Sequence, residues 1–403
     1  MLSRFPSWTF VPFVVKPLVY SNSRSAEQWI KCGRSDSILG LPTHRLRTID
    51  ICFRSSFRVF AMAAGTILCV FAASGEAQNS SLGNPTAAEK ATKAPPVRES
   101  PPYWAYVVNP PAGAAAVPAK TPDTTPRHVP GSTAAFTLAQ TTDLFAPPDW
   151  HPTDHPAMPE IVSRGRAPDV FACGYCHLPN GQGRPENSSL TGLPAAYIIQ
   201  QLADFKSGLR KSSEPKHGPT SAMIAYETKA NEREIQAAAE YFFALKPRPW
   251  IRVVETDTVP KTHVAGWMLV ATEPAENGPA EMEPIGERII ETPENLERTE
   301  LRDDHSGFVA YVPVGSIKRG KALTTANPNK TLRCAACHGN DLRGLANVPA
   351  LAGRSPSYIV RQLYDIQNGA RAGVAVQKMK PAIAKLTVDD MAAIAAYAAS
   401  LKP

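Results

Sequence analysis

Cysteine is absent from this sequence of 403 residues outside its N-terminus and two short motifs. Cys32, Cys52 and Cys69 lie within the first 77 residues, and the other four cysteines all belong to the two motifs. If the N-terminus is removed during maturation, no cysteine is left for any other use. This partition directs attention to the motifs themselves.

Basic charge and long apolar runs are also scarce beyond the N-terminus. The net charge is +7, and residues 1–77 account for +5 of it, with nine basic and four acidic side chains. The remainder of the chain is close to neutral, which excludes the broad basic surface of a nucleic-acid binder. The apolar run over residues 59–73 has 15 residues, which is short for a membrane span.

That run instead resembles an export signal. Arg54 and Arg58 precede it, and Gly75 and Ala77 supply the small residues that a signal peptidase needs. We therefore expect residues 59–77 to be the apolar region and cleavage site, Gln78 to begin the mature chain, and the protein to be periplasmic. An uncleaved anchor is the alternative. Residues 1–58 fit neither description and are interpreted as an over-extended N-terminus, with the biological start near residues 45–59.

Two segments of unusual composition flank the first motif. Residues 78–159 are rich in proline, alanine and threonine and are expected to form an extended arm. Its aromatic islands, YWAYVV and LFAPPDW, either dock on a folded surface or are incidental to a flexible tether. Residues 249–315 carry β-branched and aromatic runs between Pro, Gly and Asn, and predict a small β-rich acidic insert.

The rest of the chain is an internal repeat, with copies at residues 160–248 and 316–403. At an offset of 161 residues the segment 192–210 aligns without a gap on 353–371, and near the end of each copy the offset becomes 156. Apolar residues recur at helical spacing in both copies, and each copy closes with a helix. The predicted fold is mainly α, with two tandem small helical domains separated by the insert.

The same motif opens both copies: CGYCH at residues 173–177 and CAACH at 334–338. In the CxxCH spacing, two thiols can bond to the two vinyl groups of haem while the adjacent imidazole binds the iron. Zinc would need two further ligands at each site, and a redox dithiol needs no histidine. Two covalently bound haems c are therefore expected, held by Cys173, Cys176 and His177, and by Cys334, Cys337 and His338.

The second axial ligand decides between a carrier and a catalyst. Met223 and Met379 each lie 24 residues from the proline that closes their copy, although the sequence around them differs. This alignment predicts that both are axial ligands. His217 is the one rival in the first copy, and the second copy has no counterpart to it. Ligation by histidine and methionine fills both axial positions and suits electron transfer rather than bond chemistry.

Taken together, the motifs, the aligned methionines and the closing helices resemble a dihaem class I cytochrome c of the exported bacterial type. The resemblance implies axial pairs of His177 with Met223 and of His338 with Met379. It also implies that a proline carbonyl after each motif accepts the hydrogen bond of the ligand imidazole. Pro349 fits that place in the second copy, whereas its aligned partner in the first copy is Ser188.

The function expected from these residues is single-electron transfer by an exported protein that is not itself an enzyme. The arm and the insert favour a subunit or dedicated partner of a periplasmic or membrane dehydrogenase or terminal oxidase. Membrane association would then come through the partner or through an uncleaved anchor. The alternative is a dihaem enzyme, a peroxidase or sulfur-compound oxidase, with a displaceable ligand at the first haem.

Charge in the second half suggests where such a partner would dock. Residues 305–403 carry a net +9, while residues 273–304 carry eleven acidic and three basic side chains. An open basic surface would attract an acidic partner, whereas the acidic block could instead cover and neutralise it. The basic residues concerned are Lys318, Arg319, Lys321, Arg354, Arg361, Arg371, Lys378 and Lys380.

Overall fold

The computed structural model describes residues 100–110, 123–274, 278–325 and 333–403. The expectations for the over-extended N-terminus, the export signal and the first part of the arm lie outside these residues. Among the residues described, no helix combines the length and the apolar character needed to cross a membrane.

The described part of the arm lies against the other segments of the protein. Its one short helix, α1 (Leu138–Thr141), begins with a capping box. Tyr106 is buried, and its hydroxyl donates a hydrogen bond to Asp365 Oδ1 at 2.7 Å. Trp150 is 1% exposed, and its indole N–H donates to the carbonyl of Leu301 at 2.8 Å. Both aromatic islands are therefore packed, one against the second repeat and one against the insert.

The first repeat contains five helices: α2 (Glu160–Ser163), α3 (Cys173–His177), α4 (Ala195–Lys206), α5 (Gly218–Ala225) and α6 (Glu232–Ala244). A 3₁₀ turn at Glu227–Lys229 lies between the last two. The closing helix α6 packs its apolar face against α4, and their buried residues form one hydrophobic cluster. The helical prediction for this repeat is confirmed.

The described residues of the insert form seven strands: β1 (Ile251–Glu255), β2 (Thr258–Pro260), β3 (Thr262–Ala265), β4 (Met268–Ala271), β5 (Met282–Pro284), β6 (Ile290–Pro293) and β7 (Phe308–Val312). They form a three-stranded sheet in the order β1-β7-β6, in which β1 and β7 are parallel, and two antiparallel pairs, β2 with β5 and β3 with β4. Helix α7 (Leu296–Glu300) precedes β7.

The second repeat repeats the helical pattern with α8 (Ser316–Thr325), α9 (Ala335–His338), α10 (Pro356–Gln367), α11 (Lys380–Ile383) and α12 (Val388–Ser400). Helix α12 crosses α8 closely at Gly320, which has no side chain. A Cβ atom at this position would collide with the backbone carbonyl of Ala393. Helix α12 begins with a capping box between Thr387 and Asp390, at the positions that align with the capping box of α6.

The prediction of a basic surface on the second repeat is wrong in part. Arg354, Arg361 and Arg371 are buried, at 7%, 4% and 5% exposure, and bind backbone or side-chain oxygens of the first repeat or the arm. Burial without such bonds would leave a charge unpaired, so these arginines join segments rather than face solvent. Lys318, Lys321, Lys378 and Lys380 are exposed, and Arg319 pairs with Asp390 at 2.7 Å.

The acidic block finds its partners mostly within the insert. Glu281 pairs with Lys261, Glu283 with Arg288 and Glu294 with Arg252, at 2.8–3.0 Å. Glu291 is buried and accepts hydrogen bonds from the hydroxyls of Ser355 and Ser357. These pairings favour an open face around Lys378 and Lys380 over the alternative in which the block covers it.

Candidate haem sites

Each motif histidine is held in the same way in the two repeats. The Nδ1 atom of His177 donates to the backbone carbonyl of Ser188 at 2.7 Å, and that of His338 donates to the carbonyl of Pro349 at 2.9 Å. Both rings are buried, which lowers the pKa of His338 and lowers the pKa of His177 to about 4, against the opposing effect of the hydrogen bond. Each imidazole is thus neutral, with Nε2 left to bind iron.

Four sequence-predicted residues of the first site line one cavity: Cys173, Cys176, His177 and Met223. Two buried nitrogen atoms of its lining, Gln201 Nε2 and His217 Nε2, have no hydrogen-bond partner among the residues that the structure describes. Arg210 and Arg361 also line the cavity. A cavity lined by thiols, apolar side chains, an amide and two guanidinium groups fits a haem, whose ring is apolar and whose propionates are anionic.

The thiols of the motifs lack the environment of a redox dithiol. Burial raises the pKa of Cys173 well above its ordinary value and raises the pKa of Cys176 to about 11. Burial also raises the pKa of Cys334. Reactive cysteines have lowered pKa values, so these thiols are not activated as nucleophiles, and the redox alternative loses its support.

The second site is more open than the first. Cys334 and Met379 are partly buried, and both pack against the hydrophobic cluster of the second repeat, whereas Cys337 is exposed. Met379 lies between a 3₁₀ turn at Val374–Lys378 and α11. In the first repeat the aligned Met223 lies instead within α5.

His217, the rival ligand, also lies on the wall of the first cavity. It is 2% exposed, its Nδ1 lies 3.0 Å from Thr220 Oγ1, and the ring of Tyr106 packs edge-on against it. Burial and then the charge of Arg361 lower its pKa to about 3, so the ring is neutral. The structure therefore places both His217 and Met223 at the cavity. The argument that favours Met223 as the axial ligand is still its alignment with Met379 of the second repeat.

A polar network between the two sites was not expected from the sequence. The aligned arginines 210 and 371 form an antiparallel bridge, and each reaches the tyrosine and glutamine of the other repeat. The contacts are Arg210 to Tyr358 (3.1 Å) and Gln362 (3.2 Å), and Arg371 to Tyr197 (2.9 Å) and Gln201 (2.7 Å). The available signal was that these polar residues align in both copies, the tyrosines and glutamines within α4 and α10 and the arginines just after these helices.

Glu227 is a second residue that sequence reasoning missed. It lines the first cavity, and burial raises its pKa to about 7 although the backbone N–H of Phe171 stabilises the carboxylate. At the aligned position, 156 residues later, the second repeat has the buried Ile383. The first site therefore has an ionisable carboxyl group where the second has an aliphatic side chain. The hydrophobic period of the sequence does not show that this carboxyl group lies at the cavity.

Comparison with known proteins yields cytochromes. The sequence model of the Cytochrome c family matches residues 317–402. Cytochrome c4 of Azotobacter vinelandii is 35% identical over 248 residues, which cover 60% of this chain and 89% of that protein. Cytochrome c4 of Pseudomonas aeruginosa is 41% identical over 78 residues, which cover 19% of this chain and about a third, 37%, of that protein.

Other relatives are named as redox partners of enzymes. The thiosulfate dehydrogenase electron acceptor of Thiomonas intermedia is 25% identical over 58% of this chain and 80% of its own length. Among solved structures, cytochrome c4 of Acidithiobacillus ferrooxidans is 21% identical, with a TM-score of 0.36 over 57% of this chain and 98% of that chain.

The duplicated motifs and the relatives define a protein that carries two covalently bound haems c. The chain belongs to the dihaem class I cytochromes c, the family that includes cytochrome c4.

Proposed function

We propose that this protein is an exported electron carrier, which takes single electrons from a dedicated dehydrogenase in the periplasm or at its membrane. The observation that carries the proposal is the duplication of the whole site: CxxCH, a neutral imidazole fixed through Nδ1, and an aligned methionine. A site built twice in this way suits transfer between like centres rather than a single catalytic reaction.

In this proposal the two sites bind haem through the same set of residues. Cys173 and Cys176, and in the second repeat Cys334 and Cys337, would form the thioether bonds. His177 with Met223, and His338 with Met379, would bind the iron. Bound haem would supply single-electron chemistry between ferrous and ferric iron, and the neutral thioether of methionine would favour the ferrous state.

The interface network has a mechanical role in this function. Arg371 is buried and holds Tyr197 and Gln201 of the first repeat, while Arg354 donates to the carbonyls of Ser189 and Thr191. Charged donors satisfied on both sides of an interface fix its register. The distance between the haem sites is thereby held constant, which keeps the rate of exchange between them uniform.

The relatives support a dehydrogenase of reduced sulfur compounds as the electron donor. One is named as the electron acceptor of thiosulfate dehydrogenase, and another, from Chlorobaculum tepidum, as the cytochrome subunit of sulfide dehydrogenase. We assign this chain the same role of acceptor, with the oxidation of the sulfur compound performed by the partner.

The second candidate function is a haem enzyme that uses a displaceable ligand at the first site. It is favoured by one observation: His217 Nε2 is buried at the cavity, neutral, and without a hydrogen-bond partner among the described residues. Exchange between Met223 and His217 would make the second ligand displaceable, and the loss of Met223 without replacement would open a coordination position.

Binding of carbon monoxide to the reduced protein separates the two functions. A carrier with both axial positions filled at both haems binds none, and its Soret band stays unchanged, whereas Met223→Ala binds one equivalent. Wild-type protein that binds carbon monoxide at one haem would contradict the carrier proposal. Rapid reduction by thiosulfate together with thiosulfate dehydrogenase, but not by thiosulfate alone, would support the proposed donor. Direct reduction by thiosulfate would favour the second candidate function, a haem enzyme.

A further inference from the structure

A cluster of histidines and aspartates lies where the arm, the insert and the first repeat meet. One nitrogen of His151, one nitrogen of His305 and one carboxylate oxygen of Asp304 all lie within 4.8 Å of one another. His151 comes from the arm, and the other two residues follow α7 in the insert. The first repeat contributes Asn180, whose side-chain amide donates to the carbonyl of Asp304 at 2.5 Å.

Asp304 is the unusual member of this cluster. It is 1% exposed, and neither of its carboxylate oxygens has a hydrogen-bond partner among the residues that the structure describes. Its Oδ1 lies 3.9 Å from His151 Nε2. The adjacent Asp303 is buried as deeply, yet it accepts from His151 Nε2, Arg298 Nε and the backbone N–H of His305. A buried carboxylate without a partner is unfavourable, so a cation bound beside Asp304 would stabilise it.

The charges around Asp304 also leave room for a cation. Three carboxylates surround His151 and His305: Asp154, Asp303 and Asp304. Two guanidinium groups face them, with Arg248 on Asp154 at 2.8 Å and Arg298 on Asp303 at 2.6 Å. With neutral imidazoles, the cluster has one negative charge in excess, which a bound cation would offset.

An ion can reach the cluster from solvent. Asp304 and His305 line a cavity of about 370 Å³, together with Gln182 and Glu294. The rings of His151 and His305 stack with their centroids 3.6 Å apart and 5° between their planes. Two imidazoles bind one ion along their ring planes, so the ring of His305 must turn out of the stack. Its side chain is 33% exposed and borders the cavity, which gives it space to turn.

We propose that His151, Asp304 and His305 bind one divalent transition-metal ion of the zinc type, with water as the remaining ligand. Two imidazole nitrogens and one carboxylate are a donor set that zinc favours, at about 2.0–2.2 Å from the ion. The site is separate from both haems and does not rest on the proposed function. Its effect is structural: the ion ties the arm to the insert beside the first haem domain.

Zinc titration of the protein with both haems in place tests this site. After exchangeable metal is removed with a chelator, calorimetry with zinc chloride should show one site per chain, and elemental analysis after gel filtration should find one zinc for two irons. Asp304→Asn and His305→Gln should each lower the affinity at least about 100-fold. The matched controls Asp257→Asn and His263→Gln, which change exposed residues of the insert, should bind as wild type.

Two further measurements keep the test independent of folding defects. Zinc should raise the melting temperature of wild type and of both controls, and leave those of Asp304→Asn and His305→Gln unchanged. X-ray absorption at the zinc edge should show two imidazole ligands, a signal to which haem iron does not contribute. Wild-type protein without stoichiometric zinc, or an Asp304→Asn variant that binds zinc as tightly as wild type, would overturn the proposal.

Discussion

At the scale of single residues, each motif histidine is oriented by a backbone carbonyl, and different side chains can occupy the position of that carbonyl. Pro349 occupies this place in the second repeat and Ser188 in the first, and the hydrogen bonds measure 2.9 and 2.7 Å. The acceptor is a backbone oxygen, so the loop path decides the bond and the side chain does not. In both repeats a glycine of positive φ, Gly183 or Gly344, donates its N–H to the carbonyl of the motif histidine and shapes that loop.

The proposed axial methionines give the first prediction. Both ferric haems should show the weak red charge-transfer band of a sulfur–iron bond, and Met223→Ala and Met379→Ala should each remove about half of it. The reason is that each substitution deletes the thioether proposed to bind the iron at its site. Absorption spectra of the oxidised protein provide the measurement.

Met282→Ala is the matched control for this experiment, because that methionine is 51% exposed in the insert. It should leave the band at full intensity. A full band in Met223→Ala would assign the axial position of the first haem to another residue, with His217 the first to test.

Glu227 gives a prediction for pH. Its pKa of about 7 means that the carboxyl is neutral below pH 7 and negative above it. A negative charge stabilises ferric over ferrous iron, so the midpoint potential of the first haem should fall as pH rises through 7. The slope cannot exceed about 59 mV per pH unit for one proton and one electron. Redox titrations at several pH values, with the two haems resolved, measure it.

The second haem is an internal control, since Ile383 stands at the position that aligns with Glu227. Its potential should vary less between pH 6 and 8. Glu227→Gln should make the first haem equally insensitive. If the pH dependence survives in that variant, the responsible group is another one, such as a haem propionate.

At the scale of elements, the arm depends on one aromatic anchor near its end. Trp150 is fully buried, its ring packs edge-on against Phe136 at 4.7 Å, and its N–H binds the carbonyl of Leu301. Trp150→Ala should cost about 3–5 kcal/mol, as expected for removal of a buried aromatic ring. Thermal unfolding followed by circular dichroism should show a clearly lowered melting temperature, and limited proteolysis should cut the arm first.

Leu138→Ala, on α1 of the same arm, is the comparison variant because Leu138 is 37% exposed. Its melting temperature should stay close to that of wild type. Equal stability of the Trp150→Ala variant and wild type would mean that the arm is not anchored at this point.

The helices also show how much of the fold can be predicted from the sequence. Period and capping residues predict the closing helices well: Asn231 caps α6 and Thr387 caps α12, and each side chain accepts a hydrogen bond from the backbone N–H three residues on. These signals are local, and local patterns are sufficient for helices. The candidate ligands could be predicted for the same reason, since CxxCH spacing and repeat alignment are visible in the chain itself.

What the sequence could not predict depends on distant partners. Arg361 looks like an ordinary basic residue of a surface helix, yet its guanidinium donates to the carbonyls of Ala105 and Pro185, from the arm and the first repeat. Glu291, counted in an acidic surface block, is buried beneath two serine hydroxyls. Net charge of a segment therefore overestimates surface charge wherever segments pack on one another.

At the scale of the whole molecule, the remaining open charge predicts the docking face. Lys378 and Lys380 are exposed on either side of Met379. Lys378→Glu with Lys380→Glu should slow electron exchange with an acidic partner at low ionic strength, and the difference from wild type should shrink as salt screens the charges. Stopped-flow rates over a range of ionic strength measure this.

A control with the same change in net charge isolates position from total charge. Lys216→Glu with Lys246→Glu alters two exposed lysines of the first repeat and should affect the rate much less. Equal slowing by both pairs would indicate a long-range effect of net charge. Rates that ignore salt in every variant would exclude electrostatic docking at the second haem.

The reciprocal bridge between Arg210 and Arg371 has a consequence for the behaviour of the protein on dilution. Contacts in which residue i meets j while j meets i are typical of a twofold interface between identical subunits. The two repeats thus pack as the halves of a dimer would, but within one chain, with the insert as their linker. Two free subunits separate when their concentration falls below their dissociation constant, whereas fused halves meet at a fixed effective concentration. The pair of haems therefore stays together however dilute the protein becomes.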